Sequence, residues 1–345
     1  MQYVKLGRSG HEVSRIAIGC MTFGDPDRGY PSWSIGEEGS RRLIKHALDR
    51  GVNFFDTANG YSEGTSEEIL GRALRDYGHR DELVIATKVR NRMRPGPNGM
   101  GLSRKAILAE LDASLKRLGV DFIDLYQIHR LDHSVPFEET LEALHDAVKS
   151  GKVRYIGACS MFAWEFSKLL ALQQLSGWTQ FTSMQHHYNL LNREEEREMM
   201  PLCQDAGVGT IIWSPLARGR LAQSPGSAGV RQSSDRMADV LYGQEAESNA
   251  QITAALTSIA DAREVTRAQV ALAWLLQHPV VAVPLVGAAS TDEIDQAVWA
   301  LEVQLSASEI AALEAPYTPR AVAQLGLTKE EHDALSTLDT ANPIR

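Results

Sequence analysis

Asp56, Tyr61, Lys88 and His129 are the residues of this 345-residue chain whose types and spacing suggest chemistry. Asp56 closes the apolar run Asn53–Ala58, and Tyr61 follows it in a turn through Asn59-Gly60. Lys88 and His129 close the runs Leu83–Lys88 and Phe122–His129. Hydride addition to a carbonyl builds an alkoxide that needs a proton. A tyrosine with an ordinary pKa of about 10 is a poor donor at neutral pH, and a nearby ammonium lowers that pKa by stabilising the phenolate. Lys88 can supply the ammonium, Asp56 can hold the lysine by ion pairing, and His129 can donate a hydrogen bond to the carbonyl oxygen. Any one of these residues at a strand end is more often an ion pair or a structural hydrogen bond. Four on successive strands are read here as one site.

The elements that must position them follow a simple rhythm. Eight short apolar runs alternate with longer amphipathic segments: Ile16–Met21, Asn53–Ala58, Leu83–Lys88, Phe122–His129, Val153–Ser160, Phe181–His187, Gly209–Pro215 and Val280–Gly287. Near-continuous apolar runs suit strands buried on both faces. Repeated βα units imply parallel strands with right-handed crossovers, and eight of them imply a closed (β/α)8 TIM barrel. No GxGxxG follows the first run, which weighs against a Rossmann-type sheet. Ser103 is a candidate N-cap without a capping box, because Ala106 stands at N3, and Ser66-Glu67-Glu68 opens another helix. Gly51, Gly119, Gly151 and Gly207 stand where helices end before strands.

Three segments break the rhythm. Tyr3–Val13, turning at Arg8-Ser9-Gly10, predicts a β-hairpin that plugs one end of the barrel. Arg90–Leu102 and Leu216–Gln244 are long loops after strands three and seven, on the face where barrels carry their sites. The expected organisation is one barrel domain over residues 1–319 and a C-terminal tail over 320–345, with Leu325–Leu338 a candidate short helix.

A net charge of −9 argues against non-specific nucleic-acid binding, which needs a basic footprint. The N-terminus shows no apolar signal segment, and no run approaches the roughly 18 apolar residues of a membrane span. Cys20, Cys159 and Cys203 have no CxxC pairing, so they read as reduced core thiols in a cytoplasmic protein.

The stretches DTANGYSEGTSEEILGRAL (Asp56–Leu74), Thr87-Lys88, DFIDLYQIHR (Asp121–Arg130) and WSPLARGRL (Trp213–Leu221) resemble the aldo-keto reductase superfamily over about residues 1–319. GCMTFGDPDRG near the start, Ser183–Cys203 and Thr266–Leu276 resemble the bacterial 1-deoxyxylulose-5-phosphate synthase-like reductases most. The resemblance implies carbonyl reduction with Tyr61 as general acid, tuned by Lys88 and Asp56, and with His129 orienting the substrate. It implies NADP(H), with NAD(H) as the alternative. Ser160 and Gln185 would hold the nicotinamide carboxamide, although Met161 stands where the family often has Asn. Trp213 would stack on the nicotinamide ring. Ser214, Pro215, Leu216 and Gly219 would surround the pyrophosphate, with Arg218 and Arg220 adding charge.

The adenosine end is expected at Gly287–Gln296, where Ser290 stands in place of a common arginine and Glu293 in place of glutamine. Loss of that cation predicts a weaker preference for the 2′-phosphate of NADPH. Tyr30, Trp33, Arg92 and Arg130 are candidate substrate residues. Arg90, Arg92 and Arg94 suggest an anion-binding mouth for a phosphorylated or carboxylated carbonyl compound, with a solvated loop at even weight. The expected partner is a small-molecule carbonyl compound, with neither nucleic acid nor membrane. Two other readings stand beside reduction: non-redox, lyase-like chemistry on a sugar phosphate, and a cofactor-sensing regulatory subunit.

Overall fold

The structure is a computed structural model that describes residues 1–31, 33–222, 235–243 and 245–321. Eight strands close a parallel barrel: β3 (Ala17–Gly19), β4 (Phe54–Asp56), β5 (Val84–Val89), β6 (Ile123–Ile128), β7 (Val153–Cys159), β8 (Phe181–His187), β9 (Gly209–Trp213) and β10 (Val281–Val286), with β10 pairing back onto β3. Each falls on one of the eight apolar runs, β5 alone passing its run by one residue at Val89, so the (β/α)8 barrel is confirmed. The expected hairpin is also present, as β1 (Tyr3–Lys5) antiparallel to β2 (Glu12–Ser14).

Side chains alternate across a strand, so every second residue enters the barrel. The lower interior is apolar: Leu6 and Val13 of the hairpin meet Ala17, Phe54, Val84, Ala86, Leu125, Ile211, Val283 and Leu285. The hairpin therefore plugs the N-terminal end of the barrel, and the Arg8 amide fixes it by donating to Gly207 O at 2.9 Å. Two residues further along the same inward faces stand Asp56 above Phe54, Lys88 above Ala86 and Gln127 above Leu125. The barrel is thus apolar at its base and polar at its C-terminal mouth, which is where barrel enzymes carry their chemistry.

The surrounding helices bury their apolar stripes against the outward strand faces or against one another. They include α1 (Glu37–Asp49), α2 (Thr65–Tyr77), α3 (Arg104–Leu118), α4 (Phe137–Lys149), α5 (Ala163–Ser176), α6 (Met199–Ala206), α7 (Arg236–Tyr242), α8 (Ala246–Arg263), α9 (Arg267–Gln277), α10 (Thr291–Trp299) and α11 (Ala307–Glu314). Ser103 Oγ accepts from the Ala106 amide at 3.3 Å, the cap its sequence position promised.

α2 crosses the end of α3 so closely that a Cβ on Gly71 would lie 1.9 Å from Leu118 O. Alanine would gain about 1 kcal/mol of helix propensity over glycine, but overpacking against fixed backbone costs typically 1–3 kcal/mol or more. Gly71→Ala is therefore expected to lower the urea midpoint. A midpoint at or above that of the parent would show that the two helices can separate without loss.

The loop after β5 closes on itself, with the Met93 amide on Gly99 O and the Gly101 amide on Arg90 O, each at 2.9 Å. The segment after β9 is not structureless throughout, as the sequence suggested. It contains a 3-10 turn at Ala217–Gly219 and the helix α7. Residues 223–234, and the candidate helix Leu325–Leu338, lie outside the described residues. Where the chain leaves the barrel, Tyr317 Oη donates to Glu194 Oε1 at 2.7 Å and the Arg320 amide donates to the same oxygen at 2.9 Å. Among the described residues no helix is long and apolar enough to cross a membrane.

Candidate active site

The barrel brings the four strand-end residues together. Lys88 Nζ donates to Asp56 Oδ1, to Thr57 O at 3.0 Å and to Tyr61 Oη at 3.4 Å. Tyr61 reaches this position because the chain turns sharply after β4. The Asn59 amide bonds Lys88 O at 3.1 Å, and the Tyr61 amide bonds Ala58 O at 3.2 Å. The His129 ring stands edge-on to Tyr61, with centroids 5.8 Å apart and planes at 84°. Its Nδ1 is buried without a hydrogen-bond partner. Lys88 and Asp56 are sealed from water, at 0% and 2% exposure, so neither charge could persist there without the other.

Electrostatics refine the sequence expectation. Burial opposes the Lys88 charge, but Asp56 and Tyr61 outweigh it and leave the ammonium above its ordinary pKa. Burial raises the Tyr61 phenol above its ordinary value, while Lys88 pulls it down. The sequence predicted a net lowering by Lys88. That influence is present, but burial exceeds it, and burial was not readable from the sequence. Burial, then the positive charges of Lys88, Arg130 and Arg90, holds His129 well below 6.5, so its imidazole is neutral. The group beside Tyr61 is therefore a neutral hydrogen-bonding ring rather than a cation.

The candidate nicotinamide residues stand on the neighbouring strand ends. Trp213 Nε1 donates to Ser160 Oγ at 2.9 Å, and the Ser160 amide donates to Gln185 O at 2.9 Å. His187 covers one face of Trp213, at 4.1 Å between centroids and 11° between planes. The ring is only half-buried, so a flat aromatic group can reach it. Gln185 Nε2 donates to Asp56 Oδ2 at 3.0 Å. A half-open indole beside a serine hydroxyl and a glutamine amide suits an aromatic ring that bears a carboxamide.

The turn beyond Trp213 winds through positive φ at Ser214, Ala217, Arg218 and Gly219, with Pro215 buried and Leu216 half-buried. Asn189 Nδ2 pins this turn on Ser214 O at 2.9 Å. The two arginines expected to lend it positive charge are both already paired. Arg218 makes a two-pronged ion pair with Asp235 at 2.6 and 2.9 Å and also donates to Tyr30 Oη at 3.2 Å. Arg220 pairs with Asp239 at 2.6 Å. At the adenosine end Gly287 is exposed, and Ser290 caps α10 by accepting from the Glu293 amide at 3.2 Å. Glu293 Oε2 in turn accepts from the Ala289 amide at 2.7 Å. Both side chains thus serve the helix terminus, and Asp292 adds a second carboxylate to its first turn.

Of the candidate substrate residues, Tyr30 and Arg130 come to the mouth. Arg130 Nη1 donates to His129 O at 2.8 Å and Cys159 Sγ at 3.3 Å, and its guanidinium stands 5.8 Å from the Trp213 centroid. Cys159 is therefore part of the mouth wall rather than simple core filler. Trp33 is half-buried on the loop after β3. Arg92 is exposed and donates to Arg94 O and Gly96 O, each at 3.2 Å, while Arg94 donates to Asn98 O at 2.9 Å. Two of the three loop arginines therefore bond the carbonyls of their own loop.

Sequence reasoning missed Gln127, whose Nε2 donates to Asp56 Oδ2 at 2.8 Å. The available signal was its spacing of two from His129, which puts both on one strand face. It also missed Asp235, the partner of Arg218, for which no local signal exists.

A family model described as Aldo/keto reductase family matches residues 15–317. The versiconal hemiacetal acetate reductase of Aspergillus parasiticus is 44% identical over 342 residues, covering 93% of this chain and 98% of its own. Aldo-keto reductase AMT2 of Alternaria alternata is 43% identical over 340 residues, covering 91% of each chain. The putative aryl-alcohol dehydrogenase AAD16 of Saccharomyces cerevisiae is 38% identical over 343 residues, covering 93% of this chain and 98% of its own. These relatives are fungal reductases and dehydrogenases, and they lend no support to a nearest likeness with the bacterial synthase-like branch.

Proposed function

The chain belongs to the aldo/keto reductase family, and from that premise we propose that it reduces an aldehyde or ketone with a nicotinamide cofactor, Tyr61 giving the proton. The observation that carries this reading is Lys88 Nζ lying between Asp56 Oδ1 and Tyr61 Oη at the barrel mouth. When bound, the nicotinamide supplies the hydride. Ser160, Gln185 and Trp213 are the residues that would hold it.

The neutral Tyr61 phenol donates its proton to the carbonyl oxygen as negative charge develops there. Lys88 stabilises the phenolate left behind, and Asp56 keeps the ammonium charged and in place. His129, as a neutral ring, offers an N–H to the same oxygen and fixes its direction. Burial around Asp56 and Lys88 excludes water, which strengthens each of these interactions.

These protonation states set the pH dependence. The donor is the neutral phenol, which is lost as pH rises through a pKa held above about 10, and the imidazole is already neutral across the region of its ordinary pKa of about 6.5. kcat/KM for reduction is expected to show no break from His129 near neutrality and to decline only in the alkaline range. A solvent-isotope-sensitive break near the ordinary histidine pKa, lost in His129→Asn, would contradict this.

An aromatic aldehyde is the substrate class best supported. Tyr30, Tyr61 and Trp213 offer rings at the mouth, whereas Arg92 and Arg94 bond loop carbonyls. The name of one relative, a putative aryl-alcohol dehydrogenase, agrees with that class. With Ser290 and Glu293 spent on a helix cap and Asp292 beside them, no cation on that turn favours a 2′-phosphate. A steady-state panel of aryl aldehydes, aliphatic aldehydes and sugar phosphates, run with NADPH and NADH, tests both points. Aryl aldehydes are expected to give the highest kcat/KM. NADPH binding tighter than NADH by ~100-fold, about 3 kcal/mol, would contradict the cofactor assignment. Conversion of a sugar phosphate without any nicotinamide would favour lyase-like chemistry instead.

A further inference from the structure

Asp56 needs more than Lys88 to hold its place. A buried carboxylate has lone pairs on both oxygens, and each left without a donor is costly. Oδ1 serves Lys88. Oδ2 accepts two amide N–H groups, from Gln127 Nε2 at 2.8 Å and Gln185 Nε2 at 3.0 Å. The two amides are themselves joined, Gln185 Nε2 to Gln127 Oε1 at 3.3 Å. Gln127 is fully buried, and Gln185 is 2% exposed.

The barrel makes room for this arrangement. Gln127 stands in register with Lys88 on one side and Gly157 on the other. A Cβ on Gly157 would lie 3.0 Å from Gln127 Cγ and 2.4 Å from Ser183 Oγ, so a side chain there would press on the glutamine. A residue of this reach and donor chemistry, beside a position without a side chain, meets the far oxygen of Asp56 from β6, as Gln185 does from β8.

We propose that Gln127 is a positioning residue for the carbonyl site: its amide on Asp56 Oδ2 aims Oδ1 at Lys88 and leaves the ammonium shared with Tyr61. The physical basis is a division of charge. Hydrogen bonds to Oδ2 disperse the carboxylate charge, so Asp56 holds Lys88 without monopolising it. Without the Gln127 amide, more negative charge gathers on the carboxylate, Lys88 is drawn toward it, and Tyr61 loses stabilisation of its phenolate. Gln127 makes no hydrogen bond to Tyr61, so its effect passes through Asp56 and Lys88.

The proposal rests on Tyr61 as proton donor, so its test uses a readout that needs no turnover. The phenol of Tyr61 can be followed by NMR in protein carrying ring-labelled tyrosine, its signal among the nine tyrosines assigned by its absence in Tyr61→Phe. The groups facing that phenol are Lys88, Asp56, Cys159 and the His129 ring, and none of them is altered in the variants. Gln127→Met, matched in length but without a donor, and Gln127→Asn, whose amide falls short of Asp56, are expected to raise the Tyr61 midpoint by at least about half a pH unit. Reductase kcat should fall by up to about threefold for each half unit of that rise in both, with the nicotinamide Kd little changed, because a weaker acid slows only the proton-transfer step. Should Gln127→Met fail to fold, Gln127→Asn carries the test. An unchanged Tyr61 midpoint in a folded variant overturns the proposal, whatever happens to activity. Undiminished turnover in Tyr61→Phe would instead overturn the assignment of the donor and leave the Gln127 titration result readable in its own right.

Discussion

Tyr61→Phe is expected to lower kcat for carbonyl reduction by about 10²- to 10⁴-fold, the usual contribution of a positioned general acid, while the nicotinamide Kd changes by no more than about twofold. The split follows from geometry. Tyr61 Oη meets Lys88 Nζ at 3.4 Å and stands beside His129, whereas Ser160, Gln185 and Trp213, on or just beyond β7, β8 and β9, make no hydrogen bond to Tyr61. Phenylalanine keeps the ring and its edge contact with His129, so the variant should fold as the parent does. Stopped-flow turnover with an aryl aldehyde, alongside fluorescence titration of the cofactor, measures both quantities. Equal losses in binding and turnover would mean that Tyr61 shapes the site rather than supplying the proton.

Lys88→Met is expected to damage stability as well as activity. It leaves Asp56, 2% exposed, as a buried carboxylate facing only two amides. Removing one partner of a buried pair costs about 3–5 kcal/mol, much of it for the charge left behind. Activity should fall by about 10²-fold or more, because the phenolate formed in the reaction loses its counter-charge. Adding Asp56→Asn separates the two effects. The double variant has no buried charge at this point, so its urea midpoint should recover most of the loss, while turnover stays low. A single Lys88→Met variant as stable as the parent would show that Asp56 is already neutral or reached by water.

The barrel was legible because buried parallel strands write themselves as apolar runs. Leu83–Lys88 in the sequence and Val84–Val89 in the structure differ by one residue at each end. The catalytic candidates were legible for the opposite reason, as polar residues that end such runs. What escaped depended on contacts between distant parts of the chain. The Asp235 partner of Arg218 has no local signature, so two arginines that looked free to meet a pyrophosphate are instead neutralised by Asp235 and Asp239. The Tyr61 pKa was misjudged in direction because its largest cause is burial, which spacing does not report. Arg92 and Arg94 looked like an anion trap, yet hydrogen bonds to their own loop are an equally natural use of exposed guanidinium groups. The likeness to the bacterial synthase-like branch rested on GCMTFGDPDRG, Ser183–Cys203 and Thr266–Leu276, and the fungal relatives do not support it.

The central claim is that hydride passes from a nicotinamide to a carbonyl carbon in this barrel, with the proton coming from Tyr61. Reduction of an aryl aldehyde with cofactor deuterated at the transferable position of the nicotinamide ring tests it most directly. One deuterium is expected on the former carbonyl carbon for each cofactor oxidised, with the amount of labelled alcohol falling about 10²- to 10⁴-fold when Tyr61→Phe replaces the parent over the same time. Product formed without cofactor, or alcohol carrying no deuterium, would contradict it.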